Sequence, residues 1–267
     1  MLRFAANIST MCTEVADIER IAAAKKFGFD HVEWLFPYHL DLAQIRSQLL
    51  KYDVQLILMN TALGDPKSGE KGIGALSHRI DAFKSDIDKA LDWASELEVP
   101  YLHVMAGIVP ERESREKYLD TFCENLDWAC DKAAATNTRL LIEPLNTIDS
   151  PGYLHSTTEQ ALEIIERVQH RVGLQYDFYH PQLMEGNLGN TIKQQLPHIE
   201  HIQFSSVPGR HEPQYGEVNV YHLFDLLEEL GYSGFVGCEY TPKTTTAEGL
   251  AWFQEYRSRV NTNYLDG

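Results

Sequence analysis

Short apolar runs alternate along this chain with longer stretches in which apolar residues recur every three or four positions. The runs Leu2–Ser9, His31–Phe36, Val54–Asn60, Tyr101–Gly107, Arg139–Asn146, Val172–His180, Ile199–Ser206 and Gly234–Thr241 read as buried strands. The stretches Val15–Phe27, Leu42–Leu50, Ile80–Leu97, Glu113–Ala135, Thr157–Val168, Leu188–Leu196, Val220–Leu230 and Thr246–Arg259 carry one apolar face each and read as amphipathic helices. Gly28 and Gly231 stop two of them, and a threonine pair at Thr157 and Thr158 is available to cap a third.

Strands separated by helices call for a parallel sheet, because each crossover must cover a face. Eight such units over 267 residues predict an α/β fold of the (β/α)8 TIM-barrel type, one domain spanning residues 1–267. A doubly wound open sheet is the competing architecture. Its dinucleotide fingerprint is missing, since the first strand-to-helix turn reads N-I-S-T-M-C-T-E where G-x-G-x-x-G is needed. The long Gly-containing segment Thr61–Gly74 lacks a core-forming pattern and is read as a lid or binding loop, or else a loose insertion.

Charge and cysteine content narrow the function. With 23 basic and 39 acidic residues the net charge is −16, which disfavours a nucleic-acid partner. Cys12, Cys123, Cys130 and Cys238 form no C-x-x-C, so no structural zinc or disulfide framework is expected, and Cys123 and Cys130 mark one helix face. No secretory h-region and no stretch approaching ~20 apolar residues is present, so a cytoplasmic protein without a membrane partner is expected. Tyr and Trp residues on the outer helices permit a homodimer.

The chemistry concentrates at the ends of strands five to eight. Strand five runs R-L-L-I-E-P and ends on Glu143. Strand six offers Asp177 with His180 three residues on, strand seven offers Gln203, and strand eight offers Glu239 in G-C-E-Y. The separations of 34, 26 and 36 residues are each about one β-α unit. In a barrel these ends form one mouth. Three carboxylates and an amide converging there repel one another unless a cation sits between them. All-oxygen donors favour Mg²⁺ or Mn²⁺, and two open positions would accept adjacent carbonyl and hydroxyl oxygens of a substrate. Glu143 and Glu239 could then pass a proton between neighbouring carbons through an enediolate, which is aldose–ketose isomerisation. His180 is a substrate-contact or capping candidate. Arg210, in V-P-G-R-H-E-P, is a candidate clamp for a substrate carboxylate, or the partner of Glu212 or Glu217 in a surface ion pair. His211, Glu33 and His103 are weaker candidates, with His103 read as a satisfied core histidine.

At these residues the chain resembles the hydroxypyruvate isomerase family within the xylose-isomerase-like barrels. The resemblance rests on F-A-A-N-I-S (4–9), E-W-L-F-P-Y (33–38), H-V-M-A-G (103–107), I-E-P-L-N (142–146), D-F-Y-H (177–180), H-I-Q (201–203), V-P-G-R-H-E-P (207–213), G-E-V-N (216–219) and G-C-E-Y (237–240). It implies metal ligation by Glu143, Asp177, Gln203 and Glu239, an acid/base pair of Glu143 and Glu239, and substrate contact by His180 and Arg210, as in related epimerases. Ser205 and Ser206 depart from the pattern, where a small residue and an aspartate are more usual. The start F-A-A-N-I-S-T-M-C-T-E-V and the loop N-T-A-L-G-D look especially like the 2-oxo-tetronate isomerases, so the implied substrate is a small 2-oxo acid of three or four carbons. A sugar 3-epimerase, a DNA-repair endonuclease on the same barrel, and a non-catalytic sugar-acid binding protein are the rival readings.

Overall fold

The eight apolar runs close into a ring, with each strand parallel to the next and β8 hydrogen-bonded back to β1. The computed structural model describes residues 1–263, with side chains through Ser258. In chain order the elements are β1 (Arg3–Asn7), α1 (Arg20–Lys26), β2 (His31–Glu33), α2 (Leu42–Tyr52), β3 (Gln55–Asn60) and α3 (Ile80–Glu96). There follow β4 (Tyr101–His103), α4 (Arg115–Ala133), β5 (Arg139–Ile142), α5 (Thr158–Arg167), β6 (Gly173–Asp177), α6 (Tyr179–Met184) and α7 (Leu188–Gln195). The chain continues through β7 (Ile199–Phe204), α8 (Val220–Glu229), β8 (Phe235–Cys238), α9 (Thr246–Gly249) and α10 (Ala251–Asn263). Side-chain caps start several helices: Asp41 accepts from the Gln44 N–H at 2.8 Å and Thr157 from the Gln160 N–H at 3.3 Å.

Strand alternation sorts the side chains into two layers. Phe4, Val32, Leu102, Leu140, Ile142, Leu174, Ile202, Phe204 and Val236 join the core between sheet and helices. Ala5, Ile57, Leu58, Leu141 and Phe235 form a separate, small apolar cluster. Polar groups occupy much of the remaining strand interior: Asn7, Glu33, Gln175, His201 and Gln203 are all buried. The Glu33 carboxylate accepts from Asn7 Nδ2 at 3.0 Å and Gln203 Nε2 at 2.8 Å, and its Oε1 lies 2.5 Å from His201 Nε2. Gln175 Nε2 donates to Gln203 Oε1 at 2.6 Å. Gly237, paired in register with Gln203, leaves the space the carboxylate fills. A Cβ there would collide with Glu33 Oε1.

Aromatic packing covers the seam between first and last strands. Phe4 meets Phe224, Trp252 and Tyr256 edge-on at ring-centroid distances of 5.1, 5.4 and 5.0 Å. The Tyr256 hydroxyl accepts from the Leu2 N–H at 3.1 Å, fastening α10 to the start of β1.

Three expectations need correction. Strand six does not extend to His180: Asp177 Oδ1 accepts from the Tyr179 N–H at 3.0 Å and turns the chain into α6, so His180 is helical. Strand four stops at His103, beyond which Ala106 makes only an isolated bridge to Gly72. The segment Thr61–Gly74 is not free of core contacts, because Ile73 is buried in the main core. Gly72 (φ +98°) crosses the end of β4 so closely that a Cβ would meet Met105 at 2.5 Å.

Gly237→Ala should therefore lower stability by about 1–3 kcal/mol through overpacking against Glu33, read as a reduced urea midpoint. An unchanged midpoint would mean that the carboxylate shifts aside freely.

Candidate active site

The strands deliver their polar ends to one mouth. Glu143 follows the last residue of β5, Asp177 closes β6, Gln203 is the penultimate residue of β7, and Glu239 follows β8. Pro144 ends the β5 ladder directly after Glu143, so its carboxylate leaves the sheet as the loop begins. A cavity of about 340 Å³ opens there, lined by Glu143, Glu239, His180, Arg210, His103 and Lys71 among others. Asp177 and Gln203 are fully buried and do not line it.

One guanidinium nitrogen of Arg210 stands 3.4 Å from Asp177 Oδ2 and 3.2 Å from Glu239 Oε1. Arg210 thus points inward, and the alternative surface pairing with Glu212 or Glu217 is not made among the described residues: the Glu212 carboxylate accepts from the Lys243 N–H at 3.1 and 3.2 Å. The Arg210 backbone is left-handed (φ +53°), and its guanidinium lies 4.8 Å from the Tyr179 ring centroid. Ser206 braces this loop by accepting from the His211 N–H at 2.9 Å, while His211 Nδ1 lies 2.8 Å from the Thr241 carbonyl and the residue does not line the cavity.

His180 reaches both carboxylates. Its Nε2 is 3.7 Å from Asp177 Oδ2 and 3.9 Å from Glu143 Oε1. Its Nδ1 faces the Asn146 N–H at 3.1 Å and Asn146 Nδ2 at 2.7 Å. Asn146 Oδ1 is occupied by the N–H groups of Ile148 and Asp149, which fixes the amide orientation and makes Nδ2 a donor. Nδ1 is therefore an acceptor, and a neutral ring carries its proton on Nε2, aimed at the mouth.

His103 is buried, as expected of a core histidine, but its ring is not satisfied. Neither nitrogen has a hydrogen-bond partner among the described residues, and Nδ1 lies 3.6 Å from Glu143 Oε2. Burial holds its pKa down to about 3, so it faces Glu143 as a neutral ring.

Burial first, and then the negative charges of Glu239 and Asp177, push the Glu143 carboxyl well above its ordinary pKa. Glu239 and Asp177 are raised by burial as well, with Arg210 opposing the rise in both. Burial, followed by the positive charge of Arg210, drives His180 well below its ordinary value. The arrangement is three buried acids sharing one close cation.

The cluster includes side chains that could hold a metal ion. One ligand atom each from Glu143, Asp177 and His180 lies within 4.8 Å of the others, and buried Glu143 Oε1 has no hydrogen-bond partner among the described residues. His180 is ruled out of that set in its neutral form, because Nε2 holds the proton. Gln203 Oε1 accepts one bond from Gln175 and keeps a second lone pair. The geometry thus gathers Glu143 and Asp177 directly, joins Glu239 to Asp177 through Arg210, and holds the Gln203 amide beneath them. Gln175 and His201, which sequence reasoning passed over, lie two residues before Asp177 and Gln203 on the same strand faces. That period-two relation was the available signal.

A model of the xylose isomerase-like TIM barrel matches residues 21–256. A 2-oxo-tetronate isomerase from Haemophilus influenzae is 40% identical over 258 residues, 96% of this chain and 100% of that protein. A hydroxypyruvate isomerase from Escherichia coli is 38% identical over 258 residues, again 96% of this chain and 100% of that protein. Among solved structures, one described as an AP endonuclease, family 2, from Brucella melitensis superimposes with a TM-score of 0.93 at 43% identity, covering 96% of this chain and 99% of that one. With the strand-end carboxylates in place at the mouth, these matches show that the chain belongs to the xylose isomerase-like TIM-barrel family, in the group of the hydroxypyruvate and 2-oxo-tetronate isomerases.

Proposed function

We propose that this protein is an isomerase that moves a carbonyl group along a small 2-oxo acid, of the kind that converts hydroxypyruvate to tartronate semialdehyde, or its four-carbon 2-oxo-tetronate counterpart. The observation that carries this reading is the pair Glu143 and Glu239 lining one small cavity, both buried. A carboxylate serves as base when ionised and as acid when protonated, which suits the pair to proton transfer in both directions.

In the proposed reaction one glutamate removes the proton from the carbon beside the substrate carbonyl, giving an enediolate. The hydroxyl proton passes to the former carbonyl oxygen, the other glutamate, starting protonated, delivers its proton to the former carbonyl carbon, and exchange with solvent resets both acids. His180 Nε2–H supplies a hydrogen bond to the oxygen on which negative charge develops, and Arg210 neutralises the carboxylates that surround it. Glu143, Asp177, Gln203 and Glu239 would hold Mg²⁺ or Mn²⁺, which when bound would polarise the carbonyl and acidify the neighbouring C–H. The name of the Brucella relative points instead to DNA. A net charge of −16 and a cavity of about 340 Å³ favour a small molecule over a duplex.

Incubating the protein with hydroxypyruvate and with a 2-oxo-tetronate, each with and without Mg²⁺ or Mn²⁺, and following products by NMR should show isomerisation. In D₂O, deuterium should enter the product carbon. Turnover without deuterium would point to hydride transfer and overturn the acid/base assignment. Glu143→Gln and Glu239→Gln should each lower kcat by about 10²–10⁴-fold, with the fold intact by circular dichroism. A chelator should abolish turnover, and either cation should restore it. Asp177→Asn should raise the cation concentration needed for half-maximal restoration, and full activity after exhaustive chelation would sink the metal assignment.

A further inference from the structure

Building on the acid substrate proposed above, we infer that Lys71 is the anchor for the substrate carboxylate and sets the preference for acids over neutral sugars. Of the two cations lining the cavity among the described residues, Arg210 is already committed to Asp177 and Glu239. Lys71 is not committed to any acid. Its Nζ contacts only neutral oxygens, the Asp149 carbonyl and, at 2.8 Å, the Ser150 hydroxyl oxygen, and it forms no ion pair among the described residues. The neighbouring Glu70 also lines the cavity, but its charge is taken up by Arg79 at 2.5 Å.

An ammonium group at a half-buried wall, solvated by neutral oxygens, retains its full attraction for an anion. Ser150 strengthens the site, since its oxygen accepts from Lys71 and its own O–H remains available to a second carboxylate oxygen. Position is enforced by the fold. Gly72 is bridged to Ala106 at the end of β4, and the N–H of Gly72 donates to the Leu63 carbonyl at 2.8 Å, which fixes the residue before it at the cavity wall. A three- or four-carbon acid would then place its carboxylate at Lys71 and its carbonyl and hydroxyl carbons between Glu143 and Glu239.

The test compares D-glycerate with its neutral amide, D-glyceramide, as binding probes by calorimetry, alongside kinetics on the isomerised 2-oxo acid. The wild-type protein should prefer the acid. Lys71→Gln should lose that preference and raise KM about 10–100-fold with kcat changed far less, and Lys71→Arg should restore most of the preference. If Lys71→Gln keeps the preference, or weakens acid and amide equally, Lys71 is only a tie between loops and the inference fails. The binding arm reads independently of turnover, so a wild-type protein that isomerises no 2-oxo acid would sink the proposed function while the glycerate comparison still decides Lys71.

Discussion

Everything at the mouth rests on a carboxylate buried beneath it. Glu33 is 0% exposed, and an ionised acid there is costly unless its oxygens are bonded. Asn7 from β1 and His201 and Gln203 from β7 supply the partners, and Gly237 of β8 supplies the room. Four of the eight strands are thus keyed to a single side chain. The bond from Gln203 Nε2 fixes which way that amide faces, so its oxygen is oriented by a residue that does not line the cavity. The negative charge of Glu33 also contributes to raising Asp177 and Glu239 above it. An apolar barrel interior would pack as well but would neither orient the amide nor tune the acids.

Above that layer, positive charge is the scarce resource. Glu143, Asp177 and Glu239 crowd together, and Arg210 is the cation placed between two of them. It reaches them from a left-handed backbone position in a loop braced by Ser206 and Glu212. Ser206, which departs from the family pattern, accepts the His211 N–H and so holds the turn from which Arg210 projects. Ser205 is buried with a hydroxyl that finds no partner among the described residues, and nothing in the structure explains it.

The barrel and the strand-end acids are legible in the sequence because both follow from repetition. Each β-α unit brings a strand end to the same mouth, so the spacing indicates that Glu143 and Glu239 share it, while Asp177 and Gln203 sit buried and off the cavity wall. What spacing does not carry is the partnership between units. Asp177–His180 reads as continued strand because Phe178, Tyr179 and His180 are all buried, leaving no change of period to mark the turn into α6. His103 reads as a core residue from its neighbours, and the β4–β5 register, with His103 opposite Leu141, is what sets it against Glu143. Lys71 lies in a segment without periodicity, and its contacts with Asp149 and Ser150 arise from the loops after β3 and β5 meeting over the end of β4. Glu33 and His201 are far apart in the chain, and their 2.5 Å approach likewise depends on the completed circle.

The seam between β1 and β8 carries a cost during synthesis. Arg3 to Ala6 pair with Phe235 to Cys238, and Phe4 is covered by Trp252 and Tyr256, all contributed by the far end of the chain. β1 therefore stays open on one side, with Phe4 uncovered, until β8 and α10 have been made and folded back onto it. Closing the ring therefore waits on its most sequence-distant strand pairing, Arg3–Ala6 with Phe235–Cys238. Until that return the unpaired backbone groups along β1 are a template that a neighbouring chain could occupy.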